Sequence, residues 1–190
     1  MFRLQSCWSG DPGDRLYDWG IVDHPERNQT LAWAAHALME AGKRVLVIVK
    51  QVKHAANLAS LIPGAVQVDG TTAERSAQVP QVLTELERGT IRCVVGTSVI
   101  GEGVDVPAAD ALVYAAGGRS KVKVVQDFFR VLTTAGGKTE GLVIDCADNH
   151  HERLVEAAAH RLELYRRSFD STVLESYELP GWVSRAVAGT

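Results

Sequence analysis

The sequence predicts an α/β fold of three layers, a parallel sheet with helices on both faces, and three observations carry that prediction. Apolar runs such as Val-Leu-Val-Ile-Val at 45–49 are continuous rather than alternating, the pattern of strands covered on both faces. Stretches with apolar residues at three- and four-residue spacing separate these runs, so strand and helix alternate. The separations are long enough for βαβ units, whose crossovers are right-handed and build one open sheet.

Residues 1–23 contain Gly10-Asp11-Pro12-Gly13-Asp14 and show no sustained period, so they read as a lead-in segment. Pro25 and Glu26 open a helix with Leu31, Ala34, Ala35, Leu38 and Met39 on its apolar side, closing at Gly42. The strand at 45–49 comes next, then a helix at 52–61, a strand at 65–69, a helix at 73–88 and a strand at 91–97. After a glycine-rich loop come a strand at 111–115, a helix at 124–132, a strand at 141–145 and a long helix at 149–169. Pro80 is expected to kink the third helix or confine it to its second half. In the last helix, Leu154, Val155, Ala158, Leu162, Tyr165 and Phe169 form the expected core face. Residues 170–190 lack a clear period and read as a loosely docked tail. The domain plan is therefore a lead-in at 1–23, one α/β domain at 24–169 and a tail at 170–190.

Composition bounds the function. The chain has 190 residues, 46% hydrophobic and 23% charged, the profile of a soluble globular protein. A chain of this size buries roughly 70% of its unfolded surface without disulfides or a structural metal. Its 3 cysteines include no close pair; Cys93 and Cys146 adjoin apolar runs, as small hydrophobes do, and a reducing cytoplasmic setting is expected. Apolar runs are far shorter than the roughly 20 residues of a spanning helix, so no membrane partner is expected. A formal charge of −3 supplies no whole-protein field for polyanions, and any nucleic-acid binding must be local.

Ligands of open α/β sheets bind beyond the carboxyl ends of the strands. That rule nominates 50–53, 70–75, 97–107 and 117–121. The third reads Thr97-Ser98-Val99-Ile100-Gly101-Glu102-Gly103-Val104-Asp105-Val106-Pro107. Its glycines permit close backbone approach, Thr97 and Ser98 offer hydroxyl and N–H donors, and Asp105 adds an acceptor, a set suited to a phosphate and a hydroxyl. The same residues would also serve an ordinary βα turn punctuated by glycine and proline.

Four stretches in order resemble the second RecA-like lobe of superfamily 2 helicases and translocases. They are 45–50 as motif IV, Gly70-Thr71-Thr72-Ala73-Glu74-Arg75 as the following turn, 97–107 as motif V and 126–133 as motif VI. The resemblance covers roughly residues 21–148. Pro25-Glu26-Arg27-Asn28 also resembles the approach to this lobe in phage-type and DEAD/DEAH-like DNA helicases. The resemblance implies a RecA-like lobe that grips a nucleic-acid strand, DNA favoured over RNA and single- or double-stranded, by its phosphates. It implies Lys50, Gln51, Gly70, Thr97 and Ser98 as nucleic-acid-binding residues. Gly103, Asp105, Gln126 and Arg130 are implied to face ATP, with Arg130 catalytic as the cation offered across the cleft to the transferred phosphoryl group. ATP and Mg²⁺ would be bound only with a first RecA-like lobe, supplied in cis or in trans, because Walker A and B motifs are not found in these 190 residues.

Motif VI departs from the family pattern Gln-x-x-Gly-Arg-x-x-Arg. Phe129 stands in place of glycine, Thr133 in place of the final arginine, and Asp127 brings negative charge toward a triphosphate site. The alternative is a degenerate lobe acting as a non-catalytic nucleic-acid- or protein-binding module. Gly136-Gly137-Lys138-Thr139 is not a P-loop, since Leu132 occupies the position of the required first glycine and a strand rather than a helix follows. Asp145, Asp148, His150, His151 and Glu152 carry the carboxylates and imidazoles of a metal site, but a helix cap followed by solvated histidines is the expectation, with no metal.

Overall fold

The computed structural model describes residues 15–97, 109–118 and 141–168. A π-type helical turn at Asp18–Val22 leads into helix α1 (Pro25–Glu40), followed by β1 (Val45–Ile48), α2 (Val52–Leu61), β2 (Ala65–Val68), α3 (Ala73–Arg88) and β3 (Cys93–Gly96). Strands β4 (Ala111–Tyr114) and β5 (Leu142–Asp145) and helix α4 (Glu152–Ser168) complete the described elements. The sheet has five strands in the order β2-β3-β1-β4-β5, and every pairing is parallel. Ile48 is in register with Gly96 and Tyr114, Val68 with Gly96, and Tyr114 with Asp145, so all five carboxyl ends lie along one edge.

The three-layer expectation holds because alternate residues of the buried strands feed two cores. Val45 and Val47 join Leu31, Leu38, Ala55 and Leu58 beneath α1 and α2. Leu46 and Ile48 join Val79, Leu83 and Leu86 of α3, with Tyr165 of α4 packed alongside. Helix α1 begins where His24, in an extended conformation, accepts the Arg27 backbone N–H on Nδ1, with Pro25 in the first turn, where its missing donor costs nothing. It ends at Gly42, whose φ of 77° belongs to the left-handed region, with Lys43 N–H bonded back to the Leu38 carbonyl.

Four expectations need correction. Helix α3 is not confined to its second half but runs through Pro80 from Ala73 to Arg88. Ser76 and Pro80 are both exposed, so water can serve the carbonyl that proline leaves unbonded, while Val79, Leu83 and Leu86 hold the other face. The buried stripe of α4 is Leu154, Ala157, Ala158 and Arg161, whereas Val155 is 42% exposed; the helix is turned so that an arginine, not leucine, faces inward. That helix also starts at Glu152, after the turn that carries His150. In the segment read as a lead-in, Gly20, Ile21 and Val22 are buried; a five-residue turn has no repeat for a periodicity reading to find. The helix expected at 124–132 and the tail at 170–190 lie outside the described residues.

Candidate nucleic-acid interface at the strand ends

On the β2-β3-β1 side, the edge is polar and accessible. Thr97 follows β3 directly and is almost fully buried, flanked through the register by the ends of β1 and β2. Lys50 follows β1 and is exposed; its Nζ lies 5.0 Å from the centre of the Tyr17 ring. No carboxylate among the described residues pairs with it. Gln51, half-buried at the start of α2, donates from Nε2 to Asp18 Oδ1 at 2.8 Å. Gly70 is exposed in a turn held by buried Asp69, whose Oδ1 accepts both the backbone N–H and the hydroxyl of Thr71. Helices α2 and α3 begin next to these residues, so their unsatisfied first-turn N–H groups and positive dipole ends lie at the same edge.

Four of the five residues expected to bind nucleic acid, Lys50, Gln51, Gly70 and Thr97, are therefore gathered at three neighbouring strand ends, within about 10 Å laterally given the spacing of strands. Ser98, Gly103, Asp105, Gln126 and Arg130 lie outside the described residues, as do Phe129 and Thr133.

The β4-β5 side is built differently. Arg27 and Arg161 are both fully buried. Arg27 Nε donates to Asp148 Oδ1 at 2.7 Å, and its Nη1 donates to the Ala115 carbonyl at 2.9 Å. Arg161 forks onto Asp145 at 2.8 and 3.0 Å, reaches Asp148 Oδ2 at 3.1 Å and also donates to the carbonyls of Cys146 and Gly118. Tyr165 donates its hydroxyl to Asp145 Oδ2 at 2.6 Å. Burial opposes charge on both guanidiniums, yet the adjoining carboxylates outweigh it, Asp148 foremost for Arg27 and Asp145 for Arg161, and both are held more firmly protonated than usual. Burial pushes the Tyr165 hydroxyl up, so it stays a donor.

Sequence reasoning missed this network. Asp145 and Asp148 were noticed, but as helix-cap or metal candidates, and their arginine partners are 13 to 121 residues away in sequence. With both carboxylates committed to guanidinium groups, they do not form an Mg²⁺ ligand set; no cluster of three metal-ligating residues occurs among the described residues. The histidines are not simply solvated either. His150 is buried, bonding the Gly20 carbonyl at 2.9 Å through Nε2, and its ring centre is 4.2 Å from that of His24. Burial lowers the pKa of both; the His150 ring lowers His24 further, and for His150 burial outweighs the opposing hydrogen bond to Gly20 and the Asp148 carboxylate. His54, bonded to Asn28 Oδ1 at 2.9 Å, is lowered by burial to about 3. Cys93 and Cys146 are buried, as expected, and burial pushes both thiols up to about 12. No helix among the described residues is long and apolar enough to cross a membrane.

A five-stranded parallel sheet of this order, with helices packed on both faces, is the architecture of RecA-like domains, and comparison with known proteins narrows the class. The model of the helicase conserved C-terminal domain matches residues 29–132, more than half of the chain, and the chain belongs to that family. The fold is shared with T4 UvsW at a TM-score of 0.61 and 23% identity, covering 74% of this chain and 32% of that one. It is shared with Mycobacterium smegmatis Lhr at a TM-score of 0.58 and 21% identity, over 80% of this chain and 20% of that one. With the C-terminal domain of S. cerevisiae Dbp5 the TM-score is 0.56 at 14% identity, over 85% and 94% of the two chains. A curated relative, the candidate helicase numbered 22 of Sulfolobus islandicus filamentous virus (isolate Iceland/Hveragerdi), is 22% identical over 134 residues. The match covers 70% of this chain and 24% of that protein, so the chain spans about a quarter of its relative's length.

Proposed function

We propose that this chain is the second RecA-like lobe of an ATP-dependent superfamily 2 helicase or translocase that acts on DNA, gripping the phosphate backbone at the ends of β1, β2 and β3. The observation that carries the reading is the convergence of exposed Lys50 and Gly70 with Gln51 and Thr97 on one edge of a helicase-family fold. A cation, hydroxyl and backbone N–H groups position phosphates without reading sequence, so binding is expected to be sequence-independent and salt-sensitive. Lhr is described bound to ssDNA and AMP-PNP and LlaBIII bound to DNA, which favours DNA as the ligand here. ATP and Mg²⁺ belong to a site completed by a first lobe, toward which Gly103, Asp105, Gln126 and Arg130 contribute; the chain alone is expected not to turn over ATP. A cytoplasmic location is part of the proposal and is supported by the three cysteines without a close pair.

The test is binding of a fluorescent single-stranded oligonucleotide across a salt series. The double substitution Lys50→Ala and Thr97→Ala weakens binding at low salt while the thermal transition is retained; wild-type binding that is absent at low salt, or unaltered by the substitutions, contradicts the reading. A second reading, a binding module without ATPase function, is favoured by Phe129 and Thr133 in motif VI. Under that reading, Phe129→Gly with Thr133→Arg leaves ATPase activity absent when a first lobe is supplied; under the first, activity rises.

A further inference from the structure

The turn at Asp18–Val22 and the residue preceding it sit against the proposed phosphate-binding edge. Tyr17 spans two strand ends: its hydroxyl donates to the Ala116 carbonyl beyond β4 at 2.7 Å, and its ring lies 5.0 Å beneath the Lys50 ammonium beyond β1. The next residue, Asp18, accepts from Gln51 at 2.8 Å. The turn is itself firmly fixed. Asn28 and Asn57 both donate to the Val22 carbonyl, Asp23 pairs with Lys53 at 2.7 Å, and Gly20 is packed so closely that an added Cβ would stand 2.6 Å from Leu154 Cδ1. A rigid turn therefore supports the side chains of Lys50 and Gln51, both residues in the proposed grip.

We infer that Tyr17 and Asp18 are positioning residues for nucleic-acid binding, Tyr17 holding the Lys50 ammonium over its ring and Asp18 holding the Gln51 amide. The ring attracts the ammonium by its negative face and leaves N–H donors on the far side for phosphate oxygens. A lysine so held loses less side-chain freedom on binding than one that searches solvent. Asp18 would otherwise be a liability, since a carboxylate near a polyanion repels it. Its bond to Gln51 gives it a use that charge alone does not. The inference rests on the proposed function, and its test separates the two.

The full chain is titrated against a fluorescent single-stranded oligonucleotide across a salt series. Lys50→Ala is expected to weaken binding and to reduce the salt slope by about 0.7, one phosphate contact on a single strand. Tyr17→Leu is expected to weaken binding about two- to five-fold in the wild-type background, the scale of an exposed cation–π contact, and to change nothing further in the Lys50→Ala background. Tyr17→Phe, which keeps the ring and loses only the hydroxyl, restores most of the affinity. Asp18→Asn keeps an acceptor for Gln51 and removes the charge, so it should bind as well as wild type or better, whereas Asp18→Ala binds more weakly than Asp18→Asn. Asp18 is half-buried and its substitution removes no core contact, so this pair tests the inference even if Tyr17→Leu fails to fold. Additive losses for Tyr17→Leu and Lys50→Ala, or Asp18→Ala binding as tightly as Asp18→Asn, overturn the inference while a Lys50 effect leaves the binding site standing. No effect of Lys50→Ala overturns the binding site and the inference with it.

Discussion

One edge of one sheet is finished in two ways. Beyond β2, β3 and β1 the chain presents an exposed lysine, an exposed glycine turn and helix N termini; beyond β4 and β5 it buries two arginines and two aspartates in one hydrogen-bonded network. On the proposed function, the difference separates holding a ligand from holding the frame. Buried ion pairs cost desolvation and gain little net stability, but removing one partner strands the other. Exposed groups cost almost nothing to change and keep their hydrogen-bonding capacity for a ligand. The locked half should therefore register in unfolding and the open half in binding.

The largest effect that would break this contrast is expected at Arg161. Arg161→Ala leaves Asp145 and Asp148 buried with a lost partner and should cost about 3–5 kcal/mol in urea unfolding. A loss below 1 kcal/mol would mean the network is solvated and not a frame. Gly117→Ala comes next. Gly117 has φ 60° and a Cβ there would stand 3.0 Å from Ile21 Cδ1, so about 1–2 kcal/mol should be lost, readable as a lowered thermal midpoint.

The pH dependence sharpens the same point. His54 is held at about 3 when folded and returns to about 6.5 when unfolded. Below 6.5 the unfolded chain therefore binds the extra proton, and stability falls as pH falls toward 3; it does not recover at lower pH. Between pH 7.5 and 5.5 this histidine alone should remove about 1.4 kcal/mol, with His24 and His150 acting in the same direction. Urea midpoints at the two pH values check it, and His54→Gln should flatten the dependence. Smallest is the stability effect of Lys50→Ala, expected within about 0.5 kcal/mol because the side chain is exposed. A larger loss would place Lys50 in the frame.

The open half was legible in the sequence and the locked half was not, for a physical reason. Continuous runs such as 45–49 announce strands buried on both faces, and a ligand edge follows from where such strands end, which nominates 50–53, 70–75 and 97–107; within them Lys50, Gly70 and Thr97 are implied by the resemblance to helicase lobes. A buried arginine carries no such signature. Arg161 sits in a helix among the exposed Arg153, Arg166 and Arg167, and only the fold sets it apart, by burying it against Asp145 and Asp148. Reading Leu162 rather than Arg161 as inward was the natural choice from hydropathy, and the error turns the helix by one position. Arg27 was seen only as part of a family-like tetrapeptide, because Asp148 is 121 residues away. Tyr17 and Asp18 fell in a stretch too short for any period to register.

The most direct measurement is backbone hydrogen exchange with and without a single-stranded oligonucleotide at low salt. The account predicts added protection at 50–54, 69–73 and 97, where strand ends and the first turns of α2 and α3 meet the phosphates, and unchanged exchange at 142–148 and along α4. Protection confined to α4, or none at the three strand ends while the oligonucleotide is bound, would contradict it.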